Sequence, residues 1–194
     1  MNATSSQAGS LRRHPLLGEL FRRTEGRHWN DEELATYQRS APEFGHRAAA
    51  AREIARHEAV VVEKTVNEIF ALYAFIKHHE MAQVKAPRDI TMVSVYATNA
   101  MLMNDPDWMR DKLLLWLKTM LQAFVFPKRE AGPKKTLFGS KASGNPIDEI
   151  PQRKQAIYET YVVLKRNFQQ VLTPTHYALL DAYLQQAIDT LAAD

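Results

Sequence analysis

Cysteine is absent from this chain of 194 residues. That absence excludes disulfides, thiolate zinc sites, a cysteine nucleophile and a thioether bond to any cofactor. Glycine and proline are scarce: the seven glycines and nine prolines gather in a few short stretches. Long segments rich in Ala, Leu, Glu, Lys, Arg and Gln run between them, and these are the strongest helix formers. No run approaches the ~18 consecutive apolar residues of a membrane-spanning helix, so no membrane partner is expected. Residues 1–10 are small and polar and lack the charged start and apolar core of a secretory signal; with no cysteine in the chain, a cytoplasmic location is expected. Phosphate-loop, dinucleotide and metal-helix motifs are missing too, and no metal ligand set is expected. His57 lies beside Glu58 and one helical turn from Glu53, which reads as pairing on a helix surface. No nucleophile, base and orienting group stand at a spacing that would assemble them, so no enzyme is expected.

Charge of one sign is in slight excess only: Lys and Arg number 25 against 22 Asp and Glu, a net of +3. Acids and bases alternate along most of the chain. The surplus sits at Lys128, Arg129, Lys134, Lys135 and Lys141, inside a Gly/Pro-containing loop over 127–143. Without aromatic or motif context this reads as a solvated loop, and no nucleic-acid partner is expected. What the chain does have is apolar content, 45% of residues, enough to bury a sizeable core in one domain.

Residues 1–10 read as disordered, and 11–29 as a helical arm in which Leu16, Leu17, Leu20 and Phe21 share a face. Such a face needs a cover, and a homodimer built through the arm is the expectation. One larger helical domain over 30–194 comes after it. Asn30 before Asp31, Glu32 and Glu33 reads as a helix N-cap with acids in the first turn, opening a helix that runs to Pro42. From about Phe44 to Ile76, Ile54, Val61, Val62, Thr65, Ile69, Leu72 and Phe75 recur near the helical period. A polar break at His78 and His79 precedes Pro87, which suits a first helical turn and leads into a helix carrying Ile90, Val93, Tyr96, Ala97, Ala100 and Met101. Asp105 caps the next helix, whose apolar face is Met109, Leu113, Leu117, Met120 and Phe124. Pro151 to Val171 forms another, and Thr173 caps the last, with Leu180, Leu184, Ile188 and Leu191 inward. The fold class is all-α, with about six main helices after the arm.

Helix patterns alone identify no function. Residues 86–124 are more specific: Ala86-Pro-Arg88-Asp89-Ile, then Tyr96-Ala-Thr-Asn-Ala-Met-Leu-Met-Asn-Asp105-Pro, then Lys112-Leu-Leu-Leu-Trp-Leu-Lys118. This run resembles the central segment of allophycocyanin-type phycobiliproteins, which reads Cys-X-Arg-Asp, Tyr-Ala-Thr-Tyr-Ala-Met-Leu-Ala-Gly-Asp-Pro and Asn-Gly-Leu-Lys. Gly26 to Leu34, Val61 to Phe70 and the end of the last helix, Tyr183 to Ile188, resemble that family in the same order. The resemblance implies a globin-like phycobiliprotein fold with an N-terminal helical extension.

In that family the cysteine bonds an open-chain tetrapyrrole, the arginine pairs with a propionate and the aspartate accepts from pyrrole N–H groups. Here Ala86 stands in the cysteine's place, while Arg88 and Asp89 match the other two. Covalent attachment is excluded. The retained pair has two readings: candidate contacts for a bilin held without a bond, or a salt-bridging pair near a helix start. The segment before the motif is shorter than the family's, and an aromatic the family uses near its pigment falls on Leu121. An interchain aspartate–arginine pair of the family falls on Arg23 and Val95, which implies that the light-harvesting assembly is lost. The resemblance is nearest to the cysteine-free, bilin biosynthesis-associated globins. It implies a non-covalent bilin cofactor or a partnership with bilin-making enzymes. Two alternatives stand beside it. One is a ligand-free interaction module whose pocket is filled by Trp116, Met92, Met101, Met103 and Met120. The other is a haem sensor, which residues 106–124 disfavour because they hold no histidine for the proximal position.

Overall fold

Asn30 and Glu33 close a reciprocal capping box at the start of the first globin-domain helix, in a computed structural model that describes residue 11 and residues 14–77, 81–125 and 150–192. The expected disordered terminus 1–10, the His78–His79 break and the basic loop 127–143 lie outside the described residues. The described chain is all-α. Helix α1 spans Pro15–Arg23, α2 Asp31–Ser40, and after a 3-10 turn at Pro42–Phe44 come α3, Gly45–Leu72, and the short α4, Ala74–Lys77. Helix α5 runs Ala82–Met103, α6 Pro106–Met109, α7 Leu115–Val125, α8 Ile150–Val171 and α9 Pro174–Ala192. A π-wound turn, Arg110–Leu114, joins α6 to α7.

Helix α3 is the central element, packed on α8 and α5, and α9 closes over α8 and α5. Ile54, Ile90, Met101, Leu102, Met109, Leu113, Leu114 and Phe168 are sealed at the centre. Each contributes about 1.5–3 kcal/mol from burial. The C-terminal end of α5 is fixed from two sides. Tyr37 donates its hydroxyl to the Leu102 carbonyl at 2.7 Å, and Arg47 donates to the Met101 carbonyl and, at 2.9 Å, to the Asn104 side chain. These bonds satisfy carbonyls that a helix end leaves over. Asn104 itself takes the left-handed conformation, φ 54°, and ends the helix. Asp105 then caps α6, accepting from the Trp108 N–H at 3.0 Å as its position predicts.

Several expectations are corrected. Leu17, Leu20 and Phe21 are buried, but Leu16 is 51% exposed and does not share their face. The arm's apolar face is covered by its own chain: Phe21 meets Trp29 at 4.8 Å, and Trp29 meets Tyr37 edge-on at 5.8 Å. Pro87 does not begin its helix; α5 starts five residues earlier, and Pro87 lies inside it. Pro87 is the sixth residue of this helix, past the four orphan N–H positions, so it leaves the Gln83 carbonyl one turn back without a helical N–H from position 87. Met120 is 46% exposed. The π turn advances fewer degrees per residue, so it rotates α7 about its axis and passes the inward position to Leu121. Thr173 keeps the cap position before α9, its carbonyl accepting from the Tyr177 N–H at 2.9 Å, and in addition gives its own N–H and hydroxyl to Glu53, each at 3.2 Å. His57 does not pair with its neighbours: Glu53 holds His176, and Glu58 holds His28 at 2.8 Å. Both carboxylates of α3 thus tie down distant segments.

Candidate functional site

Three long helices and part of α7 leave a cavity of about 300 Å³ between them. Val66, Ile69 and Phe70 of α3 form one side, and Met120 and Leu121 of α7 another. Helix α8 contributes Ala156, Ile157, Thr160 and Tyr161, and the first turns of α5 contribute Lys85, Ala86, Arg88 and Asp89. The far end of α5 is anchored by Tyr37 and Arg47, and its near end forms one edge of the cavity.

The residues expected from the motif therefore come together. Ala86 lies on the wall, half-buried, with Leu121 on the helix opposite. Arg88 and Asp89 are paired with each other: Nε and Nη2 of Arg88 both donate to Asp89 Oδ1, at 2.9 and 2.7 Å. Their positions differ. The Arg88 side chain is 53% exposed at the rim, and that of Asp89 is 13% exposed, inside. An ion pair so open to water is worth at most about 1 kcal/mol, so a ligand offering better partners to both groups can separate them. The pair is a salt bridge, and it also borders the cavity.

Reasoning from the motif missed the α8 wall. Tyr161 is 4% exposed and lines the cavity. Burial pushes its pKa well above the ordinary tyrosine value, and the negative charge of Asp89 pushes it further. It is a permanent hydrogen-bond donor. The available signal was its inward register, four residues after Ile157 and three before Leu164. Asn167, nearly two turns further on, donates to Thr65 Oγ1 at 3.1 Å and locks α8 to α3 behind the cavity.

Most of the fillers expected for a ligand-free core are elsewhere, Met92 among them, packed on the main core. Met101 and Met103 are buried in the main core, and Trp116 is 46% exposed on the outer side of α7. Only Met120 of that set borders the cavity.

The family model for phycobilisome proteins matches residues 23–131. The chain belongs to the phycobilisome protein family. No curated protein and no solved structure gives a significant match. The family match spans α2 through α7, and so includes the Ala86–Asp89 edge of the cavity. It ends before α8, which supplies Tyr161. With its all-α, globin-like body and N-terminal helical extension, this phycobilisome-family chain has the fold that its central motif implied. No described helix is long and apolar enough to cross a membrane.

Proposed function

We propose that this protein is a non-light-harvesting, phycobiliprotein-like globin of bilin metabolism, holding a linear tetrapyrrole without a covalent bond or assisting the enzymes that make one. The observation that carries the reading is the meeting of Ala86, Arg88 and Asp89 on one edge of an apolar cavity of about 300 Å³. A linear tetrapyrrole presents carboxylates, pyrrole N–H groups and a long apolar face. Arg88 at the rim suits a carboxylate, Asp89 inside suits N–H donors, and Phe70, Ile157 and Leu121 suit the apolar face. The residues fit the group. When bound, it supplies visible absorption. The chain's own part is to accept N–H bonds at Asp89, to clamp a carboxylate at Arg88 and to exclude water from the apolar floor.

The volume lies at the lower end of ligand pockets, ~300–1,000 Å³. Only part of a tetrapyrrole is then enclosed, which suits reversible holding and hand-over to an enzyme in the cytoplasm. A homodimer through the arm remains part of the proposal, with the exposed Leu16 rather than the covered Leu17 and Phe21 as its apolar contact. The role is binding, not catalysis.

Adding biliverdin or phycocyanobilin to the purified protein is expected to red-shift and sharpen the visible band, and Arg88→Ala or Asp89→Ala to weaken that change. No spectral change with several bilins would sink the pigment-binding form and leave the enzyme-partner role.

A further inference from the structure

Tyr161 is the polar group of the cavity that the central motif does not explain. It stands on α8, beyond the span of the family match, on a wall with Ala156, Ile157 and Thr160, whose hydroxyl is spent on the Ala156 carbonyl at 2.7 Å. A phenol buried to 4% exposure ordinarily gives its hydroxyl to a protein partner. Here the hydroxyl makes no hydrogen bond to any described residue, and its oxygen is not among the sealed, unsatisfied polar atoms. In a residue this buried, the remaining access to that oxygen is from the cavity it lines.

We propose that Tyr161 is a ligand-recognition residue that donates its hydroxyl hydrogen to a neutral carbonyl oxygen, while Asp89 accepts from an N–H of the same molecule. The ligand class is then an apolar molecule with an amide-like N–H and C=O at its enclosed end and acidic groups at the rim. The electrostatics separate the two kinds of oxygen. An ionised acid beside Tyr161 would face the negative charge of Asp89 in a poorly hydrated space, and a neutral carbonyl would not. Among the described lining residues, the cations for acidic groups are Lys85 and Arg88, at the open edge. Burial and Asp89 keep the phenol protonated, so the donor is present at every physiological pH. A linear tetrapyrrole has lactam ends of this kind. A closed porphyrin has the acids and lacks the lactam, so it meets no acceptor requirement at Tyr161.

This inference rests on the proposed function only in taking the cavity as a binding site. The test uses Tyr161→Phe, which removes one oxygen and keeps the ring. Three probes are titrated by absorbance into the full chain and the variant: biliverdin, the methyl ester of a two-ring dipyrrinone lactam, and haemin. Wild type is expected to bind the first two, and Tyr161→Phe to weaken each about three- to tenfold, with any haemin binding unaltered. The melting temperature should hold or rise, because the hydroxyl serves no bond to a described residue. If biliverdin fails to bind while the dipyrrinone binds and is weakened by the variant, the tetrapyrrole reading falls and the role of Tyr161 stands. Equal lactam affinities in wild type and variant overturn the role of Tyr161 and leave the tetrapyrrole reading. A clear drop in melting temperature assigns the hydroxyl to the fold and overturns the role as well. Binding of neither lactam probe to wild type overturns both.

Discussion

Asp89→Asn and Arg88→Ala should weaken tetrapyrrole binding by very different factors, although the two residues are adjacent and paired. The difference comes from burial. The Asp89 side chain is 13% exposed, so a hydrogen bond between its charge and a ligand N–H is formed largely out of water. Bonds to charged groups contribute about 1.5–3 kcal/mol, and losing one corresponds to about a ten- to hundredfold loss of affinity. Arg88 is 53% exposed, so its pairing with a carboxylate is screened and contributes less than about 1 kcal/mol, at most about fivefold. Part of that is offset, because in the free protein Nε and Nη2 of Arg88 occupy Asp89 Oδ1 and must let go before the ligand can use it. Arg88→Ala is therefore expected to fall between no change and fivefold, and Asp89→Asn well beyond it. An absorbance titration at fixed ionic strength measures both, and band width reports whether the pigment is still held in one shape. A loss from Arg88→Ala equal to or larger than that from Asp89→Asn would refute the argument that enclosure sets the ranking.

Three further outcomes are expected. Ala86→Phe directs a ring into the ~300 Å³ space, and ~1–3 kcal/mol of overpacking for any ligand sharing it should remove most binding, with helicity by circular dichroism unchanged. Glu33→Ala breaks the capping box and a two-pronged bond from Arg27 (2.8 and 2.6 Å). With Arg27 46% exposed, the loss should be about 1–2 kcal/mol, or about 3–6 °C in a thermal melt. The Arg27 hydrogen bond is the largest influence on the Glu33 carboxyl, and with the Asn30 N–H it outweighs burial and holds the pKa below its ordinary value of 4.5. The stabilisation is thus fully present above about pH 4.5 and fades as pH falls through the lowered folded value, so Glu33→Gln should flatten that acid limb of a stability profile. Phe21→Ala should destabilise by about 3–5 kcal/mol in denaturant. That loss should persist under dilution, because the ring packs on Trp29 of its own chain; a loss that tracks protein concentration would show that a second chain covers the arm.

Elements whose signals are local were legible in the sequence. The Asn30 box, the Asp105 cap and the inward row Leu180, Leu184, Ile188, Leu191 each depend on residues within a turn or two, and each is found as read. Failures occurred where a distant or irregular feature decides. No spacing announces a π turn, so Met120 kept an inward place that Leu121 takes. Nothing near His57 reveals that Glu53 and Glu58 are already held by His176 and His28, more than a hundred and about thirty residues away along the chain. Leu16 satisfies the period of a buried face yet lies beyond its edge, because an arm this narrow buries only one row.

The site shows the same division. Arg88 and Asp89 could be read from a motif, whereas the space before them depends on four helices meeting. Of the large residues that could fill such a space, Trp116 is exposed, Met92 packs on the main core, Met101 and Met103 are buried in it, and Met120 borders the space without closing it. The space is instead made by alanines: Ala82 and Ala86 on α5, Ala123 on α7 and Ala156 on α8 all border it. Alanine is the best helix former and adds no side-chain volume beyond a methyl, so these helices keep their stability while their backbones stand apart across a void. Ala86 then has two consequences from one methyl group. It forbids the bond that a thiol would make, and it leaves room on the wall next to the Arg88–Asp89 pair for a molecule held only by contacts.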